Sequence, residues 1–234
     1  MNFSQAIACI LALALCLYRL YVAFTSKPVS HSRKSSAATC SLAVFLGSGG
    51  HTSEALQLLS SLDFTRYTPR RYIISSGDHL SAQKAAMLER AKASSLGPQK
   101  RGSKEDYMIL TIPRARRVHQ SIFSTPPSAL WSLLVCIYYL TVEPLLMFQT
   151  QTKIMTDVLV LNGPGTCITL SIAVLINKFL GLPSPHIIYV ESFARVRTLS
   201  VSGRLLQHFA DRFIVQWPQL TQSDNRREYI GWLI

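Results

Sequence analysis

The sequence predicts an α/β protein: a single Rossmann-like domain on a mostly parallel sheet, behind an N-terminal transmembrane helix. Three observations carry that expectation. The apolar run from Phe3 to Phe24 holds one charge, Arg19, and approaches the ~20 residues that span a bilayer as a helix. Short apolar, often β-branched stretches then alternate with stretches of helical period, the order of a parallel sheet covered by helices. Glycine-rich turns lie where strands pass into helices.

Residues 1–25 read as an anchor. A cleaved secretory signal needs a positive segment before its apolar run, and "MNFSQ" has no charged side chain, whereas Lys27, Arg33 and Lys34 follow the run. Positive charge after the span puts the body in the cytosol, and Arg19, near one end of the span, is expected to snorkel to the headgroups. Residues 26–40, "SKPVSHSRKSSAATC", are small, polar and proline-broken, which reads as a linker. The domain is then 41–234.

Within it, strands are expected at 41–46, 72–75, 107–112, 158–161, 186–190 and 213–216. Helical patterns fall near 53–61, 81–93, 128–148, 166–180 and 199–209. The stretch "ALWSLLVCIYYLTVEPLLMF", residues 129–148, is nearly long enough to span, but Thr141, Glu143 and Pro144 interrupt it. A carboxylate at mid-bilayer costs a few kcal/mol, so an interfacial helix, a buried core helix and a second span all stay open.

The chain carries 24 Lys and Arg against 12 Asp and Glu, a net charge of +12. Such an excess attracts phosphates of lipids, nucleotides or nucleic acid and does not choose among them. The cysteines, Cys9, Cys16, Cys40, Cys136 and Cys167, form no CxxC pair. Neither a zinc site nor a disulfide framework is legible, which suits a reducing compartment.

In an open parallel sheet, ligands bind beyond the carboxyl ends of the strands, where helix N-termini present free amides. Four turns fall on that edge: Gly47-Ser48-Gly49-Gly50-His51, Pro113-Arg114-Ala115-Arg116-Arg117, Asn162-Gly163-Pro164-Gly165-Thr166 and Glu191-Ser192-Phe193-Ala194-Arg195. Glycines admit a close ligand, Thr52 or Ser53 can cap a helix, and arginines pair with phosphate. Taken singly, each has a plainer reading: a tight connection, a solvated basic surface, a capping histidine, or a Glu191 that caps or pairs with Arg195 or Arg197. Their coincidence on one edge describes an anion pocket. A dinucleotide-binding oxidoreductase fits poorly, because Thr52 stands where the fingerprint after Gly47 and Gly49 needs glycine or alanine, and no acidic residue ends the second strand. No lysine completes a P-loop, and no paired-aspartate motif offers to hold a metal, so no metal is expected.

The motifs "GSGGHTSEAL", "YIISSGDHLSAQK", "IPRARRVHQS", "VLNGPGTC", "IIYVESFARVRTLSVSGRLL", "DRFIVQWPQL" and "YIGWLI" resemble, in the same order over nearly the whole chain, the membrane-anchor subunits of the two-subunit UDP-N-acetylglucosamine transferase of the endoplasmic reticulum. The resemblance implies half of a GT-B glycosyltransferase: an acceptor-binding domain, inactive alone, whose soluble partner subunit binds the donor UDP-N-acetylglucosamine. It implies transfer of the second N-acetylglucosamine to dolichol-diphosphate-N-acetylglucosamine during N-glycan precursor assembly, with no cofactor in this chain and no nucleic-acid partner. The location implied is the endoplasmic reticulum membrane and contiguous nuclear envelope, single-pass, with the body cytosolic.

In a related bacterial lipid-linked glycosyltransferase of peptidoglycan precursor synthesis, a similar glycine-glycine-histidine loop faces the acceptor diphosphate. Carried over, Gly47, Ser48, Gly49, Gly50 and Thr52 would meet the diphosphate, with His51 as base or as a further diphosphate ligand. Arg114, Arg116, Asn162, Gly163, Gly165, Thr166 and Arg195 would line the same cleft, with Glu191 a second catalytic candidate. The resemblance also gives the tail Tyr229, Ile230, Trp232, Leu233 and Ile234 to partner docking; the alternative is that it tucks against this chain's own sheet. A non-catalytic membrane scaffold for the partner remains the competing class.

Overall fold

The computed structural model describes residues 2–25, 39–95, 106–116, 120–146, 155–222 and 224–233. The expected linker therefore lies outside the described residues except for its last two, as do Arg117 and Ile234. Seven strands form one sheet: β1 Leu42–Leu46, β2 Arg70–Ser75, β3 Tyr107–Ile112, β4 Val158–Asn162, β5 His186–Val190, β6 Arg212–Ile214 and β7 Arg227–Glu228. Their order is β3-β2-β1-β4-β5-β6-β7, and every pairing is parallel. The helices are α1 Phe3–Thr25, α2 Gly50–Ser60, α3 His79–Ser95, α4 Thr125–Ile137, α5 Glu143–Leu146, α6 Thr166–Leu180 and α7 Val201–Leu206.

This is a doubly wound sheet whose order reverses between β1 and β4. All five β1 residues are buried, as a central parallel strand covered on both faces requires. Strand alternation divides the core. Ala43, Phe45, Ile73, Leu159, Leu161 and Ile187 share one cluster with Cys136 of α4 and Leu170, Ala173 and Val174 of α6. Leu42, Val44, Leu46, Tyr72 and Ile74 share the other with Ala55 and Leu59 of α2 and Ala85 of α3.

Besides shifts of one or two residues at the ends of β1, β4 and β6, β2 starts early and a seventh strand, not expected, appears because charged residues take part. β2 begins at Arg70, which is 5% exposed. Its guanidinium meets Glu89 of α3 bidentately at 2.7 and 3.0 Å and lies 4.3 Å from the Phe64 ring centroid. Glu89 also accepts from the Tyr72 hydroxyl at 2.7 Å; burial first, then the Glu89 charge, pushes that hydroxyl's pKa up. β7 is two charged residues held to β6, with Arg212 paired to Glu228. The expected 199–209 helix contracts to α7, Val201–Leu206, which starts after Ser200 because that residue caps it, accepting from Gly203 N at 2.9 Å.

A π-helical stretch, Tyr138–Val142, joins α4 to α5. Pro144 has no N–H for the carbonyl one turn back, and Leu140 O instead takes Asn177 Nδ2 of α6 at 3.1 Å, while Thr141 Oγ1 donates to Asn177 Oδ1. The polar residues that interrupt both apolar helices thus meet each other. One side of α4 packs on α6 through Ser132 and Cys136, both near Thr169. Leu130, Trp131, Leu134 and Tyr138 are exposed, so this is not a wholly buried core helix.

Ser4–Thr25 and Thr125–Leu146 are each long and apolar enough to cross a membrane. Arg19 also finds partners within the chain: its Nε donates to Phe179 O at 2.7 Å and its Nη2 to Lys178 O at 3.2 Å. Both carbonyls lie in the last turn of α6, where the helix dipole favours a cation, and Lys178 O also accepts from Gly181 N at 3.2 Å.

Candidate active site

β1 and β4 lie side by side at the reversal, with Leu46 in register with Asn162. Beyond β1, Ser48 (φ 64) and Gly49 (φ 57) both have positive φ, turning the chain so that α2 starts at Gly50. Gly47 brings this turn against the one after β4. A Cβ on Gly47 would stand 2.7 Å from Asn162 O, and 3.0 Å from both Gly163 Cα and His51 Cβ. A Cβ on Gly163 (φ 141) would in turn stand 3.0 Å from Gly47 Cα. Above them Gly49 and Gly50 are exposed, with nothing within 4 Å of a Cβ position, and Ser48 and His51 are half-buried.

Side chains stitch three turns together here. His51 Nδ1 is 2.8 Å from Asn162 Oδ1. Asn162 Nδ2 donates to Glu54 Oε2 at 2.9 Å, and Ser192 Oγ donates to Glu54 Oε1 at 2.8 Å. Glu54 and the Ser192 hydroxyl carry no expectation from sequence, because Glu54 reads as an ordinary polar position of an amphipathic helix. The available signal is spacing: Glu54 lies three residues past His51, on the same helical face.

The other expected site residues divide. Thr52 is 1% exposed and faces α3, its hydroxyl 2.6 Å from Ser81 Oγ; Ser81 Oγ donates to Asp78 at 2.7 Å, so the Thr52 proton goes to Ser81. Thr166 is also buried, and its Oγ1 accepts from Ala115 N at 3.2 Å, tying the turn after β3 to the start of α6 beside half-buried Gly165. In that turn Arg114 Nε is buried with no partner among the described residues, while exposed Arg116 donates through Nε and Nη2 to Gln120 O at 3.1 and 2.9 Å.

Glu191 is 1% exposed and fully engaged. Its Oε1 accepts from Ser192 N at 3.1 Å, and its Oε2 from Ser200 N and Oγ at 3.0 and 3.1 Å. A Cβ on Gly203 would come within 2.1 Å of that Oε2. The carboxylate therefore binds the 191–203 loop together, in the manner of the capping alternative, and Arg195 is exposed on that loop. Burial first, and Glu191 next, raises the pKa of the Cys167 thiol, which keeps it from acting as a nucleophile.

The C-terminal tail returns to the same edge. Trp232 lies 5.8 Å from Trp217 and 6.4 Å from Phe193 between ring centroids, and Trp217 Nε1 donates to Phe193 O at 2.7 Å. Leu233 N donates to Gln216 Oε1 at 3.4 Å. Even so, Trp232 is 66% exposed, and Tyr229 and Ile230 are exposed beside it. The tail leans on the segments that follow β5 and β6 and still presents apolar surface.

Comparison with known proteins follows the same outline. The family model described as "Oligosaccharide biosynthesis protein Alg14 like" matches residues 42–233. Proteins named UDP-N-acetylglucosamine transferase subunit ALG14 are 46% identical over 209 residues in Cryptococcus neoformans (89% of this chain, 87% of that one) and 43% over 190 residues in Schizosaccharomyces pombe (81% of each). The protein of that name in Homo sapiens is 39% identical over 194 residues (83% of each). A crystal structure of Acinetobacter baumannii MurG aligns with a TM-score of 0.46 at 15% identity, covering 80% of this chain and 43% of that one.

Proposed function

The chain belongs to the family of Alg14-like oligosaccharide biosynthesis proteins, and on that premise we propose that it is the membrane-anchoring, acceptor-binding subunit of a two-subunit UDP-N-acetylglucosamine transferase. A soluble partner carries the donor half of a GT-B enzyme, and neither half turns over alone. The acceptor is dolichol-diphosphate-N-acetylglucosamine. The observation that carries this reading is the contact of His51 with Asn162, which joins two glycine turns below the open surface of Gly49 and Gly50.

In the proposed reaction, the 4-hydroxyl oxygen of the acceptor sugar attacks C1 of UDP-N-acetylglucosamine. The bond from C1 to the diphosphate oxygen breaks with inversion, UDP leaves with the bonding pair, and the hydroxyl proton passes to His51 Nε2. Backbone amides of 47–50 and the N-terminal ends of α2 and α6 face the acceptor diphosphate. Arg114, whose Nε has no partner among the described residues, and exposed Arg195 add positive charge, while Glu191 holds the loop that carries Arg195. No step needs a metal, since dipoles and donor-domain groups neutralise the leaving group.

The anchor 1–25 crosses the endoplasmic reticulum membrane once, leaving the body in the cytosol, and the exposed apolar side of Thr125–Leu146 lies at the bilayer surface. The tail from Tyr229 docks the partner through its aromatic cluster. The test uses the solubilised two-subunit enzyme with UDP-N-acetylglucosamine and a short-chain acceptor. His51→Ala is expected to lower kcat by ~10²–10⁴-fold with the partner still bound, and Gly49→Val to abolish turnover. Unchanged turnover in both would reduce the chain to a scaffold.

A further inference from the structure

The Asn162 amide sits between an imidazole and a carboxylate, and that order decides where the His51 proton lies. A carboxylate only accepts hydrogen bonds. Glu54 Oε2, 2.9 Å away, therefore requires the NH2 group of Asn162 to face it. The amide oxygen then faces His51 Nδ1 at 2.8 Å, and because that oxygen also only accepts, Nδ1 must carry the proton. Nε2 keeps the lone pair. Glu54 is itself held, since its Oε1 takes the Ser192 hydroxyl at 2.8 Å and Ser192 Oγ accepts from Ala194 N at 3.3 Å. Asn162 is 0% and Ser192 8% exposed, so water does not stand in for either partner. The close approach of Gly47 to Asn162 O is what lets an imidazole on α2 reach the end of β4.

We propose that Asn162 and Glu54 are positioning residues that hold His51 in its Nδ1–H tautomer, so that Nε2 receives the proton of the attacking hydroxyl. The inference rests on His51 being the base of the transfer reaction described above. As the new C1–O bond forms and UDP leaves with the bonding pair, the proton moves to Nε2. The imidazolium then carries protons on both nitrogens, and Asn162 Oδ1 still accepts from Nδ1. With the other tautomer, Nε2 would already hold a proton and could not take the hydroxyl's, and a lone pair on Nδ1 would face the amide oxygen. Serine proteases use a carboxylate in the same position, and loss of the correct tautomer there costs ~10⁴-fold in kcat.

The experiment uses the full-length chain with its partner in detergent, with histidine nitrogens isotopically labelled and the His51 resonances assigned through His51→Gln. The expected wild-type spectrum has His51 protonated on Nδ1. Glu54→Ala frees the amide, so the preference for Nδ1–H should fall, with kcat dropping on the order of 10²-fold and the acceptor KM moving far less. Asn162→Asp sets two carboxylates against each other and should be severely impaired. Adding Glu54→Gln to it restores a donor facing an acceptor at unchanged net charge, and should recover the Nδ1–H tautomer and most of the lost kcat. A purely structural role would shift melting temperature and leave the tautomer alone. A wild-type His51 protonated on Nε2, or a double variant no better than Asn162→Asp, overturns the positioning role. The expected tautomer change in Glu54→Ala with kcat untouched overturns instead the reading of His51 as the base.

Discussion

Arg19 of α1 donates from Nε to the carbonyl oxygen of Phe179, 2.7 Å away, and so closes the C-terminus of α6 with a residue 160 positions distant. The adjoining Gly181 (φ 74) leaves just enough room, since a Cβ there would stand 2.7 Å from Arg19 Nη2. Arg19→Leu is expected to cost ~1 kcal/mol, within the range of a charged side chain at a helix end. The amides of Gly181 and Leu182, bonded to Lys178 O and Asn177 O, should exchange faster. Gly181→Ala should cost ~1–2 kcal/mol from backbone strain in addition to the collision. Melting and hydrogen exchange of the detergent-solubilised chain measure both.

Gly47 and Gly50 belong to one turn but should respond oppositely to alanine. At Gly47 the new methyl would meet backbone of the neighbouring turn at 2.7 and 3.0 Å, atoms that cannot rotate away. Gly47→Ala should therefore separate His51 from Asn162 and remove turnover while the protein remains membrane-bound. Gly50→Ala finds open space and should leave melting unchanged, so any activity it loses reports how closely the acceptor approaches. Equal tolerance at both positions would contradict the packing of the two turns.

The Arg70–Glu89 pair is buried on both sides, at 6% and 7% side-chain exposure. Removing one member leaves the other charged and unpaired, which costs ~3–5 kcal/mol. Glu89→Ala should accordingly lower the urea midpoint sharply while the folded fraction keeps its kcat. Arg70→Met combined with Glu89→Leu should regain much of the loss. Denaturation curves of the three variants decide this.

The same pair explains part of what the sequence conceals. Strands β3 and β5 stand where their apolar, β-branched residues put them, and β1 starts one residue late. β2 begins two residues before its expected start because a pair of arginines, Arg70 and Arg71, is a poor strand signal until Glu89, 19 positions past Arg70, is known to meet the first of them. β7 could not be read at all, being two charged residues that gain their pairing from β6. The glycine turns were legible because their composition is local. The His51–Asn162–Glu54 chain was not, since it links positions 111 and 108 apart and depends on strand order, which composition does not carry. Thr52, attractive in the motif, turns inward because α2 buries that face against α3.

The β7 edge should be acid-sensitive. The hydrogen bond from Arg212 holds the Glu228 carboxyl below its ordinary value. A carboxyl depressed in the folded state stabilises it above the unfolded value, and the contribution disappears as pH falls through the depressed one. The pair is largely exposed, so the effect is small and salt-dependent. Acidification should loosen β7 and change the fluorescence of Trp232, four residues on; Glu228→Gln should abolish that acid step.

Truncation tests the tail directly. Removing residues 232–234 forfeits Trp232 from the cluster with Phe193 and Trp217. A large apolar side chain that becomes fully buried contributes ~1.5–3 kcal/mol, and Trp232 is mostly unburied in the isolated chain. The expected result is loss of the co-purifying partner with little change in proteolytic resistance. Retention of the partner would exclude docking through this tail.

Helix α6 ends in two different attachments. Thr166, its first residue, receives Ala115 N from the arginine turn, and Phe179, next to its last, receives Arg19 from α1. Fifteen residues at 1.5 Å each make a rod of ~22 Å, which sets a fixed stand-off between α1 and the rim where the glycine turns meet. A flexible tether could gain or lose a residue unnoticed. One residue added to this rod would rotate one attachment by ~100° about the other, so α6 should tolerate substitution at its half-buried positions, such as Ile172, Leu175 and Ile176, better than any change of length.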